Sequence, residues 1–251
     1  MTATNARRPS ASALTRAFVC ESSLTLDCPP EAERPHDAPS KRGDRIHAAI
    51  ERHILGGRIE DVRHQILPED CAIDLVLAGL PVLRPIAGLP FSECEAWYEP
   101  MTTEALLGVA GTPRPPGFYR GRSDQVGEYE HPVWGWLPAV VDFKSGHPRW
   151  QVKADSEQLG YHALWLSKML KVDMVCSLVY RTRDGDINVY LWDSQRLARF
   201  EKRMHDLEAR LALIDAGLAQ PTLVKGKDCT FCGSKPVCSL WAQKGSGDGV
   251  P

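Results

Sequence analysis

Ala139-Val-Val-Asp-Phe-Lys-Ser-Gly146 is the stretch whose reading decides the fold. In an extended strand alternate side chains share a face. Asp142 and Lys144 therefore point one way, while Val141 and Phe143 point into a core. A strand with one apolar face, and a carboxylate and an amine on the other, can hold a metal and a water together. Upstream lies Gly121-Arg-Ser-Asp124, on a strand expected over Arg120 to Tyr129. A polar, Trp-containing turn joins it to a strand expected over Leu137 to Lys144. Antiparallel pairing brings Asp124 close to Asp142. Two carboxylates at that distance repel one another, and a divalent cation resolves the repulsion. Mg²⁺ takes one or two carboxylates and keeps its other positions for water and phosphate oxygen. Lys144 is then placed to orient a water or to stabilise charge in a phosphoryl transition state.

Working outward, Gly43 to Leu55 reads as a helix. Ile46, Ile50 and Ile54 recur every four residues, and Gly56-Gly57 ends it. Residues 29 to 42 read as a loop, and a second helix is expected between Pro68 and Leu83. Phe91 to Tyr98 reads as a strand, and Thr102 to Gly117 as an insertion loop. Lys153 to Leu170 is an amphipathic helix with Leu159, Ala163, Leu166 and Leu170 on one face. Val172 to Arg181 and Ile187 to Trp192 form a hairpin across Asp184-Gly185. Ser194 is placed to cap a helix running to Asp215, with Leu197, Met204, Leu207, Leu211 and Ile214 inward. No linker divides this order, and the fold class is α/β. One domain spans 18–241, with flexible tails at 1–17 and 242–251.

The chain has 251 residues and a net charge of −2, with no electrostatic footprint for nucleic acid. A carboxylate-rich metal site can offset a local basic groove, so that balance excludes little. No apolar run is long enough to span a bilayer. The first sixteen residues carry Arg7, Arg8 and Arg16 and no acid, and no secretory signal is visible. A cytoplasmic (intracellular) setting is expected. The eight cysteines then point to metal or core rather than disulfides.

The run Lys227-Asp-Cys-Thr-Phe-Cys-Gly-Ser-Lys-Pro-Val-Cys238 gives Cys-x2-Cys-x5-Cys. Cys229, Cys232 and Cys238 leave a soft-metal site one ligand short. Cys20, in Phe18-Val-Cys-Glu-Ser-Ser23, is the natural fourth, with Cys28 as the alternative. Zinc and iron–sulfur clusters use the same ligands. Cys71, Cys94 and Cys176 read as core residues.

Asp124 followed by Asp142-Phe-Lys144 resembles the core of the PD-(D/E)XK nuclease superfamily. The chain is most similar to its RecB-like branch, which includes CRISPR-associated and phage exonucleases. That resemblance implies a restriction-endonuclease-like domain: a central mixed sheet flanked by helices, with a cysteine-ligated cluster joining the two ends. It also implies a Mg²⁺- or Mn²⁺-dependent deoxyribonuclease, acting on DNA that is single-stranded or has free ends. In the family a helical histidine after a glycine reaches the metal, and Gly43-Asp-Arg-Ile-His47 matches it. The metal set implied is His47, Asp124, Asp142 and the carbonyl of Phe143. Glu93 resembles the acid of the first core strand, and Glu95 remains an alternative to it. The Gln and Tyr of the following helix contact DNA in the family and sit four apart. Here Gln158 and Tyr161 are three apart, and Glu157 with Tyr161 has the spacing but not the first residue. The cysteine arrangement resembles the 4Fe–4S set of iron–sulfur RecB-type nucleases, with Cys20, Cys229, Cys232 and Cys238 as ligands. Repair, recombination, phage and CRISPR-adaptation proteins are the partners such a family suggests, and no membrane is involved. The competing expectation is a nucleic-acid-binding or assembly module that keeps the fold without turnover.

Overall fold

The computed structural model describes residues 8–26, 38–58, 60–63, 66, 73–109, 112–145, 156–225, 229, 232, 234 and 237–242. After a 3₁₀ turn at Ala11–Ala13 come the helices α1 (Leu14–Ala17), α2 (Ser22–Thr25), α3 (Ala38–Ile54), α4 (Glu60–Arg63) and α5 (Ile73–Ala78). The strands are β1 (Leu83–Arg84), β2 (Ser92–Glu99), β3 (Glu104–Leu107), β4 (Tyr119–His131), β5 (Gly135–Lys144), β6 (Val175–Arg181) and β7 (Ile187–Trp192). Helix α6 (Glu157–Leu170) connects β5 to β6, and α7 (Ser194–Asp215) and α8 (Ser239–Ala242) follow β7. Among the described residues no helix is long and apolar enough to cross a membrane.

Seven strands form one sheet in the order β3-β2-β4-β5-β6-β7, with β1 also paired to β4. All pairings are antiparallel except β5–β6, which α6 joins as a parallel crossover. Strand alternation divides the interior into two cores. Ala139, Val141 and Phe143 of β5 pack with Cys176, Leu178 and Tyr180 of β6 against Ile46, Ala49 and Ile50 of α3 and Ile73 and Val76 of α5. On the other face, Val140 and Val179 join Leu159, Ala163 and Leu166 of α6, and Leu197, Met204, Leu207, Leu211 and Ile214 of α7. Helices cover both faces, so the neighbours of Asp142 along β5 are apolar on both sides. Gly121 of β4 allows the approach of α6: a Cβ there would stand 2.5 Å from the Tyr161 ring and 2.7 Å from that of His162.

Several boundaries differ from the sequence reading. Residues 11–17 are not a tail. Leu14 and Ala17 are fully buried, and Arg8 pairs with Glu208 at 2.5 Å and with Asp215 at 2.9 Å. The segment is too short to show helical periodicity, so its burial is set by α6 and β4, against which it packs, rather than by its own pattern. The expected loop over 102–117 contains β3, whose Leu107 pairs with Ala96 and whose Leu106 carbonyl accepts the Trp165 indole N–H at 2.8 Å. Helix α3 begins at Ala38, within the expected loop. The expected helix between Pro68 and Leu83 is shorter where described, and Leu83 lies in β1. Asp193, not Ser194, caps α7, its carboxylate accepting the Arg196 N–H at 2.8 Å. The expected start of α6 at Lys153 lies outside the described residues, and its cap is Ser156.

Candidate functional site

The register between β4 and β5 ends at Gln125–Val141. Beyond it, the Asp124 carboxylate accepts the Phe143 N–H at 2.5 Å. His47, brought in by α3, stands with Nδ1 3.4 Å from the other oxygen of Asp124. Gly43 makes that approach of α3 possible, since a Cβ there would meet the Ser145 hydroxyl at 2.9 Å. Across the strand end, Lys144 Nζ lies 2.9 Å from Asp142 Oδ1 and 2.7 Å from Oδ2. Gln158, from the first turn of α6, donates to Asp142 Oδ1 at 3.1 Å and accepts from Lys144 at 3.4 Å. The expectation that Asp142 and Lys144 share a face holds, and His47, Asp124 and Gln158 join them.

Electrostatics bind these groups into one unit. Burial disfavours charge on Asp124, yet the His47 bond and charge, the Phe143 amide and Lys144 outweigh it and hold its pKa below the ordinary carboxylate value. Asp142 is buried more deeply. Burial, aided by the charge of Asp124, raises its pKa despite the adjacent ammonium. Burial also opposes charging of His47, but Asp124 and Asp142 prevail and its pKa rises. The two neighbouring carboxyls are pushed in opposite directions because Asp142 is the more deeply buried and Asp124 the better paired.

Glu93 lies on β2 between the pairs Ser92–Gln125 and Cys94–Ser123, abreast of Asp124. Its φ of 50° is left-handed inside a strand, a conformation costly for a non-glycine residue. Arg122 pairs with it at 2.8 Å. Burial raises its pKa, as do the nearby charges of Asp124 and Glu51. Glu95 is engaged elsewhere, with Arg120 at 3.0 Å and the Trp97 indole at 2.8 Å. Of the two acids, Glu93 is the one that faces Asp124 closely enough to feel its charge. Sequence reasoning missed Glu51, one helical turn after His47 on α3, and the i,i+4 spacing was the available signal.

Tyr161 is not a surface residue. It is fully buried, and its hydroxyl stands 2.9 Å from the carbonyl oxygens of Ala96 and Tyr119. Facing β4 rather than the site, it is sealed from solvent, and only Gln158 of the expected pair reaches the acidic cluster. His162 beside it is also buried and bonded to Ser123 at 2.9 Å. Burial pushes its pKa down to about 4.

Apart from the acidic cluster, Cys20, Cys229, Cys232 and Cys238 line one cavity, together with Leu26, Leu223, Val224 and Leu240. No disulfide joins them. The two chain ends are already stitched beside this cavity. The Ser22 N–H donates to Thr222 O at 3.0 Å, the Thr222 N–H donates to Glu21 at 2.9 Å, and Ser234 Oγ donates to Ser23 O at 3.2 Å. Arg210 holds Glu21 at 3.0 Å. Cys28 and Cys71 lie outside the described residues. Cys94 and Cys176 are buried in the cores as expected. Among the described residues, no group of three or more His, Cys, Asp or Glu side chains is drawn together tightly enough to hold a metal ion. In the acidic cluster the ammonium of Lys144 and the imidazole of His47 instead sit directly against the carboxylates.

No protein-family model and no curated protein matches this chain. The solved structure of SSO0001 overlaps 83% of this chain and 90% of its own, at 16% identity and a TM-score of 0.32. So low an overlap leaves any assignment resting on the side chains.

Proposed function

We propose that this protein is a metal-dependent DNA nuclease of the PD-(D/E)XK superfamily, RecB-like in type, with a restriction-endonuclease-like fold. The observation that carries this reading is the meeting of Asp124, Asp142 and Lys144 where β4 and β5 part, with His47 and Gln158 on either side. The donor set suits Mg²⁺ or Mn²⁺: hard carboxylate oxygens, one imidazole and a raised acid that gains from a nearby positive charge. Such an ion would supply Lewis-acid stabilisation of a phosphoryl oxygen and a more acidic water. The protein's own groups do the positioning. The Phe143 amide and His47 fix Asp124 from opposite sides. Gln158 holds Asp142 and Lys144 in one orientation. Lys144 keeps an ammonium where negative charge develops on a reacting phosphate. Glu93 adds a further carboxylate, held in a strained backbone. The four-cysteine cavity suits a cluster of soft-metal type, 4Fe–4S by resemblance and zinc as the alternative. Single-stranded DNA or free DNA ends are the substrate proposed.

Cleavage of labelled single-stranded and duplex DNA with Mn²⁺ tests this, comparing native protein with Asp142→Ala and Lys144→Ala. Each variant is expected to lose at least about 100-fold in rate while remaining folded. Equal rates in all three discard the assignment. The direct Lys144–Asp142 ion pair favours a second reading, a nucleic-acid-binding or assembly module that keeps the fold without turnover. Native protein that binds DNA but never cleaves it selects that reading.

A further inference from the structure

The first half of α7 carries Arg196, Arg199 and Arg203, at spacings of three and four that place them on one helical face. With Trp192 and Phe200 they line a cavity of about 380 Å³, a volume within the range of ligand sites. Two of the guanidiniums are held in place. Arg196 lies 4.0 Å from the centre of the Trp192 ring and donates to Leu191 O at 3.0 Å. Arg203 lies 4.3 Å from the centre of the Phe18 ring and pairs with Glu157 at 3.0 Å. Arg199 is exposed and makes no ion pair among the described residues.

The negative charge beside this face is small and already engaged. Glu157 is shared between Arg203 and the Thr15 hydroxyl, 2.8 Å away. Asp193 caps the helix through the Arg196 N–H. Trp192 is only 2% exposed, and its indole N–H has no hydrogen-bond partner among the described residues. A buried donor without a partner is costly unless something meets it. Trp192 and Phe200 are covered, so a base cannot stack on them without displacing an arginine. The ligand that suits the groove is therefore one recognised by charge and acceptor oxygens. Phosphate has both.

We propose that this groove binds the sugar–phosphate backbone of a DNA strand. The identity of the ligand rests on the nuclease reading, whereas the anion preference rests on the groove alone. The two sites are adjacent along α6. Glu157, at the groove, precedes Gln158, which holds Asp142 and Lys144. A strand lying across Arg199 and Arg203 runs towards the acidic cluster past the first turn of α6.

The test measures binding of a dye-labelled single-stranded oligonucleotide in EDTA, by fluorescence anisotropy, over a range of salt concentrations. Arg199→Ala is expected to weaken binding about three- to tenfold and to flatten the salt dependence by about 0.7 in log–log slope, the signature of one lost phosphate contact on a single strand. Arg199→Lys recovers most of the affinity, and Lys171→Gln, at the C-terminal cap of α6 and so at the opposite end of that helix from Glu157 and Gln158, changes neither quantity. Identical affinity and slope for native protein and Arg199→Ala overturn the proposal, as does native protein that binds no oligonucleotide. Competition distinguishes the source of the phosphate. If inorganic phosphate binds through Arg199 while the oligonucleotide ignores the substitution, the groove serves a free anion and the DNA proposal falls. DNA binding that depends on Arg199, in a protein that does not cleave with Mn²⁺, preserves the groove and removes the nuclease. Cleavage by native protein with unaltered binding by Arg199→Ala does the reverse.

Discussion

The Asp124 carboxylate accepts the Phe143 N–H at 2.5 Å, from one strand to the backbone of the next. Phe143 stands between Asp142 and Lys144, so this bond fixes all three chemical groups relative to one another. Asp124 is thus both a member of the site and the acceptor that ties the two strands together there.

Glu93 provides a prediction in which stability and function move apart. Its left-handed backbone costs roughly 1–2 kcal/mol for a residue with a Cβ. Glycine relieves that strain but loses about 0.5–1 kcal/mol to chain entropy. The pair with exposed Arg122 adds little. Glu93→Gly is therefore expected to leave the denaturation midpoint unchanged or raise it slightly, while Mn²⁺-dependent cleavage falls at least about tenfold. A variant that is destabilised yet fully active would show that Glu93 serves the strand and not the site.

The cysteine cavity predicts a coloured protein. Purified without oxygen, an iron–sulfur form absorbs near roughly 400 nm, whereas a zinc form is colourless. Linking Cys20 to Cys229 closes a loop of about 200 residues, which chain-entropy arithmetic values at roughly 5 kcal/mol. Cys20→Ser should thus lose both metal and a large part of its thermal stability, and Cys94→Ala, in the core, should keep its metal. Protein that holds neither iron nor zinc after anaerobic purification removes the clamp, leaving the hydrogen bonds of Glu21, Ser22 and Thr222 to join the chain ends.

His162 predicts acid sensitivity of defined sign. Its pKa in the folded protein is about 4, below the 6.5 of an unperturbed imidazole. Between those values the unfolded chain binds the proton and the native state refuses it. The contribution of neutral His162 is complete above pH 6.5 and is lost as pH falls through 4. It is worth on the order of 3 kcal/mol at full extent. Chemical denaturation at pH 7 and pH 4.5 measures it. His162→Gln, which keeps an amide facing Ser123, should flatten that part of the profile. An unchanged acid slope in the variant assigns the sensitivity to other groups.

The sheet and the acidic site were legible because their signals are local. Alternation along β5 exposes Asp142 and Lys144 together, and the four-residue period of α3 marks its buried Ile46 and Ile50. Residues 11–17 and β3 were not legible. Each is a short piece whose burial depends on distant partners: α6 and β4 for the first, Trp165 for the second. Position within a motif also could not reveal depth. Gln158 and Tyr161 share a face of the same helix, but nearly one turn along its axis carries Tyr161 past the site to pack against β4.

Tyr161 makes that last point measurable. Its hydroxyl reaches the Ala96 and Tyr119 carbonyl oxygens, and burial raises its pKa well above the ordinary phenol value, so it stays protonated and acts as a donor. Tyr161→Phe removes only that hydroxyl and leaves the ring against Gly121. The two carbonyls then lose a partner in an apolar setting, at a cost of about 1–3 kcal/mol in unfolding free energy. Because the side chain is sealed from solvent, the affinity for DNA should stay within about twofold of native, a change of under roughly 0.5 kcal/mol. Gln158→Ala should do the opposite: little change in stability, and a marked loss of cleavage, as Asp142 and Lys144 lose the amide that orients them. If Tyr161→Phe instead weakens DNA binding at unchanged stability, the tyrosine must leave its pocket to meet the nucleic acid, and the division of labour between these two residues is wrong.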